Sequence, residues 1–465
     1  MTEGYVDSYY ARTIAEDRPR PPLDGDTETE VCVIGGGMAG LATALGLAER
    51  GRKVVLLEAR RLAWGASGRN GGMVGGGYSA GYRRLAAMVG EGPARELNDL
   101  TRAALALIRA RIARYAIDCE PMTHGKIRCS WFDDGDALKA EADWLARVFG
   151  EAREFWPREK VRELYRTRRY HDALFSAEAF QFHALNFALG IARAAEANGA
   201  VLHEASPVTG FDLAAEPKAV DTPRGRVRAD HVVFCLSGYI DGLHPKLARA
   251  TLPVATYVML TEPIPKERLE SAIRAPYGVS DTRFAGDYYR PLPDGRILWG
   301  GRVGSAAAPQ RLLRTMLGDL CKVYPQLEGI EGEVAWPGTM GYARHRMPQI
   351  GELEPGVWYC QGFGGNGMCT TTVGGEAVAA AIAGEDARIG LFEPFGLDFA
   401  GGRLGPAVAE ALYAWWRLRD RLRAVSTLLG ISRPRLRGRA AGSSTTCRGN
   451  PGSRSRSRRL RGRRP

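Results

Sequence analysis

The 465-residue sequence contains no apolar run approaching the ~20 residues needed to cross a bilayer. Its first stretch, Thr2 to Asp26, is polar and proline-rich, unlike a charged-then-apolar signal segment. Both absences lead to the expectation of a cytoplasmic protein without integral membrane association. The eight cysteines (Cys32, Cys119, Cys129, Cys235, Cys321, Cys360, Cys369 and Cys447) include no CxxC pair, which removes the usual zinc-knuckle and dithiol readings. Cys32 and Cys235 lie inside apolar runs, as reduced structural thiols do. The seven histidines show no ligand spacing, so no metal centre is expected. From Ile431 to Pro465 there is no Asp, Glu or Lys, but there are twelve Arg. The first 430 residues balance at 52 basic and 52 acidic, so the formal charge of +12 belongs to the tail alone.

That tail, residues 431–465, is the basis of a reading from a different class, a nucleic-acid binder. RSRSRRLRGRR would attract phosphate. It carries no aromatic residue for base stacking and no folding pattern, so disorder without nucleic-acid binding is the expectation. One further motif, GYSAG at Gly77–Gly81, fits the serine-hydrolase elbow around Ser79. The glycines before it are poor strand material, and the elbow needs a buried strand there.

What the chain does contain is clustered glycine: 58 in all, many of them in Gly35–Gly40, Gly65–Gly81 and Gly362–Gly375. Clusters of this kind mark loops where backbone approaches a ligand. The first follows an apolar β-rich run, Glu30–Ile34, and opens a stretch, Met38–Glu49, with apolar residues at helical spacing. Lys53–Leu57 is a second buried strand and ends at Glu58. Gly35, Gly37 and Gly40 thus form G-x-G-x-x-G in its proper strand–turn–helix setting, with an acid ending the next strand. Gly35 permits the turn, Gly37 lets backbone approach a pyrophosphate, and Gly40 lets helix and strand close up. The helix start, Met38 and Ala39, offers amides to phosphate, and Glu58 suits ribose hydroxyls while repelling a 2′-phosphate. Downstream, RRLAWGASGRNGG (Arg60–Gly72) supplies small residues, Ser67, Gly68, Arg69, Asn70 and Gly71. These suit a second loop closing over phosphates or flavin, which favours FAD over NAD.

Farther along, helices are expected over Ala94–Ile117, Asp136–Phe149, Ala184–Asn198, Gln310–Val323, Thr372–Ala383 and Pro406–Leu422. Strands are expected at Ala200–Glu204, Val208–Leu213, Arg226–Arg228, His231–Leu236 and Val357–Gln361, with turn-linked strands from Tyr257 to Arg302. Strand–helix–strand pattern at the start, middle and end predicts an α/β protein with an α+β insert. It would be a discontinuous Rossmann-like nucleotide-binding domain with a substrate domain inserted on a mostly antiparallel sheet. The expected division is 28–82, 185–240 and 345–395 for the first, 83–184 and 241–344 for the second, and 396–430 for a C-terminal helical segment docked on its own domain.

The block EVCVIGGGMAGLATALGLAERGRKVVLLEARRLAWGASGRNGG resembles the D-amino-acid oxidase-like flavoproteins, and SGRNGG points to their γ-glutamylputrescine oxidoreductase branch. NFALGIARAAEANGAVLHEASPV, DYYRPLPDGRILWGGR and GFGGNGM extend the resemblance over roughly Tyr5 to Arg423. It implies that Gly35, Gly37, Gly40, Glu58, Arg60 and Ser67 contact the ADP half of FAD, and that Val208 meets the adenine. It also implies that Ser237 and Gly238 lie near the pyrophosphate and that Gly364, Gly365, Asn366, Gly367 and Met368 surround the flavin ring. Met340–Gly351 holds no Cys for covalent attachment, so non-covalent FAD is expected. The implied reaction is oxidation of a C–N bond: hydride passes to flavin, and the imine hydrolyses to an aldehyde or keto acid. Oxygen or another acceptor then takes the electrons. The expected substrate is a small amine, γ-glutamylputrescine or a related polyamine derivative, with amino acids or N-substituted glycines as the alternative. Pocket candidates are Tyr257, Tyr288, Tyr289, Arg290, Trp336 and His183. Tyr and Trp can hold an ammonium group by cation–π contact, Asp287 can pair with a remote charge, and Arg290 or Arg302 can anchor a carboxylate. A strand alternation would instead bury one of the paired tyrosines, and a lone histidine is more often satisfied in the core.

Overall fold

The computed structural model describes residues 4–304, 309–385 and 387–428. The arginine-rich tail lies outside the described residues. Two sheets organise the chain. The first has the order Gln349–Glu354, Val357–Gln361, Gly225–Phe234, Thr27–Ile34, Val54–Leu57 and Val201–His203. The five strands from Val357–Gln361 to Val201–His203 run parallel. Their apolar sequences, such as VVLL, are those of strands covered on both faces. On one face lie the helices Met38–Ala48, Ala184–Ala197 and Gly367–Ala383. The first and last of these cross tightly, since a Cβ on Gly375 would sit 2.6 Å from the Ala42 methyl.

The second sheet runs Gly332–Tyr342, Leu252–Thr261, Ile297–Val303, Tyr288–Pro291, Gly278–Asp281, Thr123–Cys129, Ala173–Gln181 and Met73–Val74. Only the Gly278–Asp281 to Thr123–Cys129 pairing is parallel. The fold class is therefore the expected one, a Rossmann-like α/β body with a mostly antiparallel second layer. Apolar alternation gives this sheet two faces. Val258, Leu298 and Trp336 join the cluster that reaches back to Leu41 and Phe187. Tyr257, Met259, Tyr289, Ile297 and Trp299 point the other way, under Met316 and Leu320 of the helix Pro309–Val323.

Several elements differ from the sequence expectation. Arg226–Arg228 and His231–Leu236 form one strand, Gly225–Phe234, because Ala229 continues the pairing, with Thr29 on one side and Lys218 on the other. The strand Gly332–Tyr342 was hidden by Pro337, Gly338 and Gly341; it is an edge strand, where proline is tolerated. The helix expected from Thr372 begins at Gly367, with Thr370 and Thr371 returning their hydroxyls to the carbonyls of Asn366 and Gly367.

The last helix, Gly405–Leu428, docks on its own chain as expected. Asp420 accepts the Ala285 amide at 3.1 Å, and Arg423 pairs with Asp134 at 2.8 Å. Its other face leaves Val408, Leu412, Trp415, Leu418 and Leu422 exposed. Among the described residues no helix is long and apolar enough to cross a membrane, and no cluster could hold a metal ion.

Candidate functional site: a dinucleotide cleft facing a sheet

The carboxyl ends of the parallel strands converge. The Gly35 amide donates to the Leu57 carbonyl at 2.9 Å, Glu58 to His203 at 2.8 Å, and Cys235 to Ile34 at 2.8 Å. Ligands of open α/β sheets bind at such a crevice. Gly35 has φ +106° and a Cβ there would sit 2.8 Å from the Cys235 carbonyl oxygen; one on Gly40 would sit 1.9 Å from the Gly35 oxygen. These two glycines close the turn on itself. Gly37 differs: its missing Cβ meets only Ser67 Oγ, at 3.3 Å, so the backbone is open toward the second loop. Gly37 caps the helix without a side-chain bond, and the first-turn amides of Ala39 and Gly40 have no intrahelical acceptor.

Glu58 accepts the Gly36 amide at 2.7 Å and the Arg60 amide at 2.8 Å. Burial raises its pKa, and those two amides pull the other way. Ser67 Oγ accepts the Met38 amide at 2.9 Å, which ties the second loop to the first helix. Asn70 donates to the carbonyls of Ala66 and Ser67 and accepts the Gly72 amide at 2.8 Å. Arg60 and Arg69 sandwich Trp64, with guanidinium carbons 3.8 and 4.0 Å from its ring centre.

The loop after Val357–Gln361 completes the cleft. Gly364 has φ +61°, and its missing Cβ would press on the Tyr342 ring at 2.6 Å and on Ser79 Oγ at 2.7 Å. Asn366 donates to the carbonyls of Gly76 and Gly77, and Ser79 donates to Phe363 O at 3.2 Å. Ser79 is thus a loop fastener, not an elbow nucleophile: the nearest preceding strand is the two-residue Met73–Val74, and Gly75–Gly77 intervene. Gly365, Gly367 and buried Met368 follow at the head of the helix Gly367–Ala383. Ser237, at φ +48°, accepts the Gly362 amide at 3.4 Å, and Gly238 abuts Met340 and Gly341. Val208 is half-buried, just past Ala205 and Ser206, whose amides donate to the Arg60 and Glu58 carbonyls.

A cradle of open backbone at Gly37, a helix start and a carboxylate at the second strand end fit the ADP half of a dinucleotide, and two further glycine loops fit a larger one. Residues 30–381 match the family model DAO, FAD dependent oxidoreductase. The chain belongs to that family. This DAO-family oxidoreductase uses FAD, and bound FAD supplies the two-electron acceptor. Among similar proteins, γ-glutamylputrescine oxidoreductase of Escherichia coli (strain K12) is 34% identical over 426 residues, 91% of this chain and 100% of that protein. A probable oxidoreductase OrdL of Haemophilus influenzae is 31% identical over 394 residues, 84% of this chain and 91% of that one. The crystal structure of glycine oxidase from Geobacillus kaustophilus superposes with TM-score 0.67 at 21% identity, covering 80% of this chain and 98% of its own.

The pocket candidates of the DAO-family chain separate by face. Tyr288 is half-buried with its ring against Gly71, whose Cβ would lie 2.5 Å from it. Trp336 donates to the Arg69 carbonyl at 2.9 Å. Arg290 is buried and donates to the Phe182 carbonyl at 2.9 Å and to the Tyr10 hydroxyl at 3.4 Å. These three lie beside the second glycine loop.

Tyr257 and Tyr289 do not. Strand alternation turns both into the far core, where Tyr257 donates to Gly304 O at 3.1 Å, and Tyr289 stacks on Trp299 at 4.6 Å and bonds the Tyr324 hydroxyl. Their assignment to the pocket is corrected accordingly.

His183 is the N-cap of the helix Ala184–Ala197. Its Nδ1 accepts the Asn186 amide at 3.0 Å and its Nε2 meets Thr13 Oγ1 at 3.1 Å. Burial, then the charge of Arg290, push its pKa down to about 3, so it is a neutral structural group. Arg302 and Asp287 are also engaged: Arg302 with Asp319 and Asp287 with Arg283 at 2.8 Å. Sequence reasoning missed Tyr342 and Trp64, and weighed Ser79 only as a hydrolase elbow; aromatic and hydroxyl positions beside glycine clusters were the one hint.

Proposed function

We propose that this protein oxidises the terminal carbon–nitrogen bond of γ-glutamylputrescine or a closely related polyamine derivative, using non-covalently held FAD in the cleft described above. The residues holding FAD would be Gly35, Gly37, Met38, Ala39, Gly40, Glu58, Arg60 and Ser67 through Gly71, with Val208, Ser237, Gly238 and Gly364 through Met368. The observation that carries the substrate class is the half-buried Tyr288 ring set against the second glycine loop. An α-amino acid needs a cation for its carboxylate next to the carbon that is oxidised. Arg302 is locked on Asp319, while Arg290 is buried, donates only to the neutral Phe182 carbonyl and Tyr10 hydroxyl, and leaves its Nε without a partner among the described residues. Tyr288 offers an aromatic ring suited to an amine held by cation–π contact and desolvated enough to lose its proton. Similarity to a γ-glutamylputrescine oxidoreductase along that protein's full length supports the same reading.

The test is anaerobic bleaching of the purified flavoprotein with a panel of γ-glutamylputrescine, putrescine, glycine, sarcosine and proline. Rapid bleaching by γ-glutamylputrescine is expected. Bleaching by the amino acids alone would replace the proposal with an amino-acid oxidoreductase, the reading that the glycine oxidase relative favours. Acid precipitation should leave the flavin in the supernatant; yellow precipitate would defeat non-covalent binding.

A further inference from the structure

The sheet face that carries Tyr288 extends well past the glycine loops. Cross-strand partners place Trp336, Val258, Gly300, Tyr288, Ser280 and Arg128 in one row, because directly opposed residues share a face. Lys126 is two residues from Arg128 on the same strand and therefore on that face too, with Ser176 opposite it. Two strand spacings and one pleat separate Lys126 from Tyr288, on the order of 12 Å between their Cα atoms.

The flanking cations have partners. Arg128 pairs with Glu141 at 2.7 Å and Arg153 with Glu151 at 2.7 Å. The Lys126 ammonium has no ion pair or side-chain hydrogen bond among the described residues. Burial, followed by repulsion from Arg153 and Arg128, lowers its pKa to about 8, yet part of the side chain keeps accessible surface. Contacts run from Ser176, opposite Lys126, back to the cleft: Arg153 contacts Ser176 Oγ and donates to the Tyr82 hydroxyl at 3.1 Å. The Tyr82 ring lies against Gly77, and the Gly77 carbonyl accepts from Asn366.

We propose that Lys126 forms a carboxylate subsite at the end of the pocket remote from the oxidised carbon, where it takes the α-carboxylate of the γ-glutamyl group. The assignment rests on the amine reading above and deepens it. A buried, uncompensated cation is costly alone and gains a counter-ion when such a substrate binds. Extended, γ-glutamylputrescine places its carboxylate about 10 Å from the amine-bearing carbon, a span that fits the separation between Tyr288 and Lys126.

The experiment titrates the FAD-loaded protein with γ-glutamyl-n-butylamide, which keeps the carboxylate and lacks the oxidisable amine, and with N-acetylputrescine, which has the amine and no carboxylate. Flavin absorbance reports binding. Lys126→Met should weaken γ-glutamyl-n-butylamide about tenfold or more, Lys126→Arg should retain most of the affinity, and N-acetylputrescine should bind all three proteins alike. Equal affinity of the wild type and Lys126→Met for γ-glutamyl-n-butylamide, an equal loss for both ligands, or no binding to the wild type would each overturn the subsite. Failure of γ-glutamylputrescine to bleach the wild type is a separate result. It removes the amine reading, while the titration still reports on Lys126.

Discussion

The indole N–H of Trp336 donates to the backbone carbonyl of Arg69 at 2.9 Å, joining the edge strand of the second sheet to the second glycine loop. Trp336 is fully buried, so the bond is made without competition from water. The loop that carries Ser67, Asn70 and Gly71 is therefore positioned by both layers at once.

Trp336→Phe keeps most of the apolar contact and removes the donor, leaving the Arg69 carbonyl without that partner. A loss of about 1–2 kcal/mol is expected, seen as a lower melting temperature and weaker FAD retention in an equilibrium titration. Unchanged flavin affinity would mean that the loop is held without the second sheet.

Glu58→Gln leaves one carbonyl oxygen where two carboxylate oxygens now accept the Gly36 and Arg60 amides. Charge-assisted bonds of this type are worth roughly 1.5–3 kcal/mol each. FAD affinity should fall by at least about tenfold, with circular dichroism little altered. Full flavin content after gel filtration at low protein concentration would contradict the role assigned to Glu58.

Tyr288 and Tyr289 are adjacent in sequence and opposite in consequence. Tyr289→Phe removes the bond to Tyr324 in the far core and should cost about 1 kcal/mol of stability while leaving flavin reduction unchanged. Tyr288→Leu should instead slow reduction by amine substrate, because it removes the aromatic face, and Gly71→Ala should do the same by displacing the Tyr288 ring. Stopped-flow bleaching separates the two; equal rates for Tyr288→Leu and the wild type would remove Tyr288 from the pocket.

His183 supplies a pH dependence with a definite sign. Its folded pKa, about 3, lies below the ordinary imidazole value of about 6.5, so the unfolded chain binds the proton more readily. The contribution is complete above about pH 6.5 and is lost as pH falls toward 3, at up to about 1.4 kcal/mol per pH unit. His183→Asn preserves a capping side chain and should flatten that part of the stability curve in urea titrations between pH 6.5 and 4. An identical slope in the variant would place the acid sensitivity elsewhere, among His171, His231, His244 and His345, whose values burial also lowers.

The sequence by itself determined the nucleotide half of this protein. Gly35, Gly37, Gly40 and Glu58 are legible because strand, turn, helix and strand follow one another within thirty-odd residues, and local spacing fixes local geometry. It also located the net charge in the tail, because counting requires no fold. Tertiary structure alone decided which face each residue of the second sheet presents. DYYR offers two tyrosines equally, and only the pairing of Ser280 with Tyr288 and of Val279 with Tyr289 assigns one to the glycine loops and the other to the far core. His183 became a helix cap, and Arg302 a partner of Asp319, through chain segments that no short pattern brings together. Lys126, unremarkable in THGKIRC, stands out only once three strands have placed it beyond Tyr288 on the same face. Its desolvation and its missing counter-ion are properties of the packed protein, not of the residues around it in the chain.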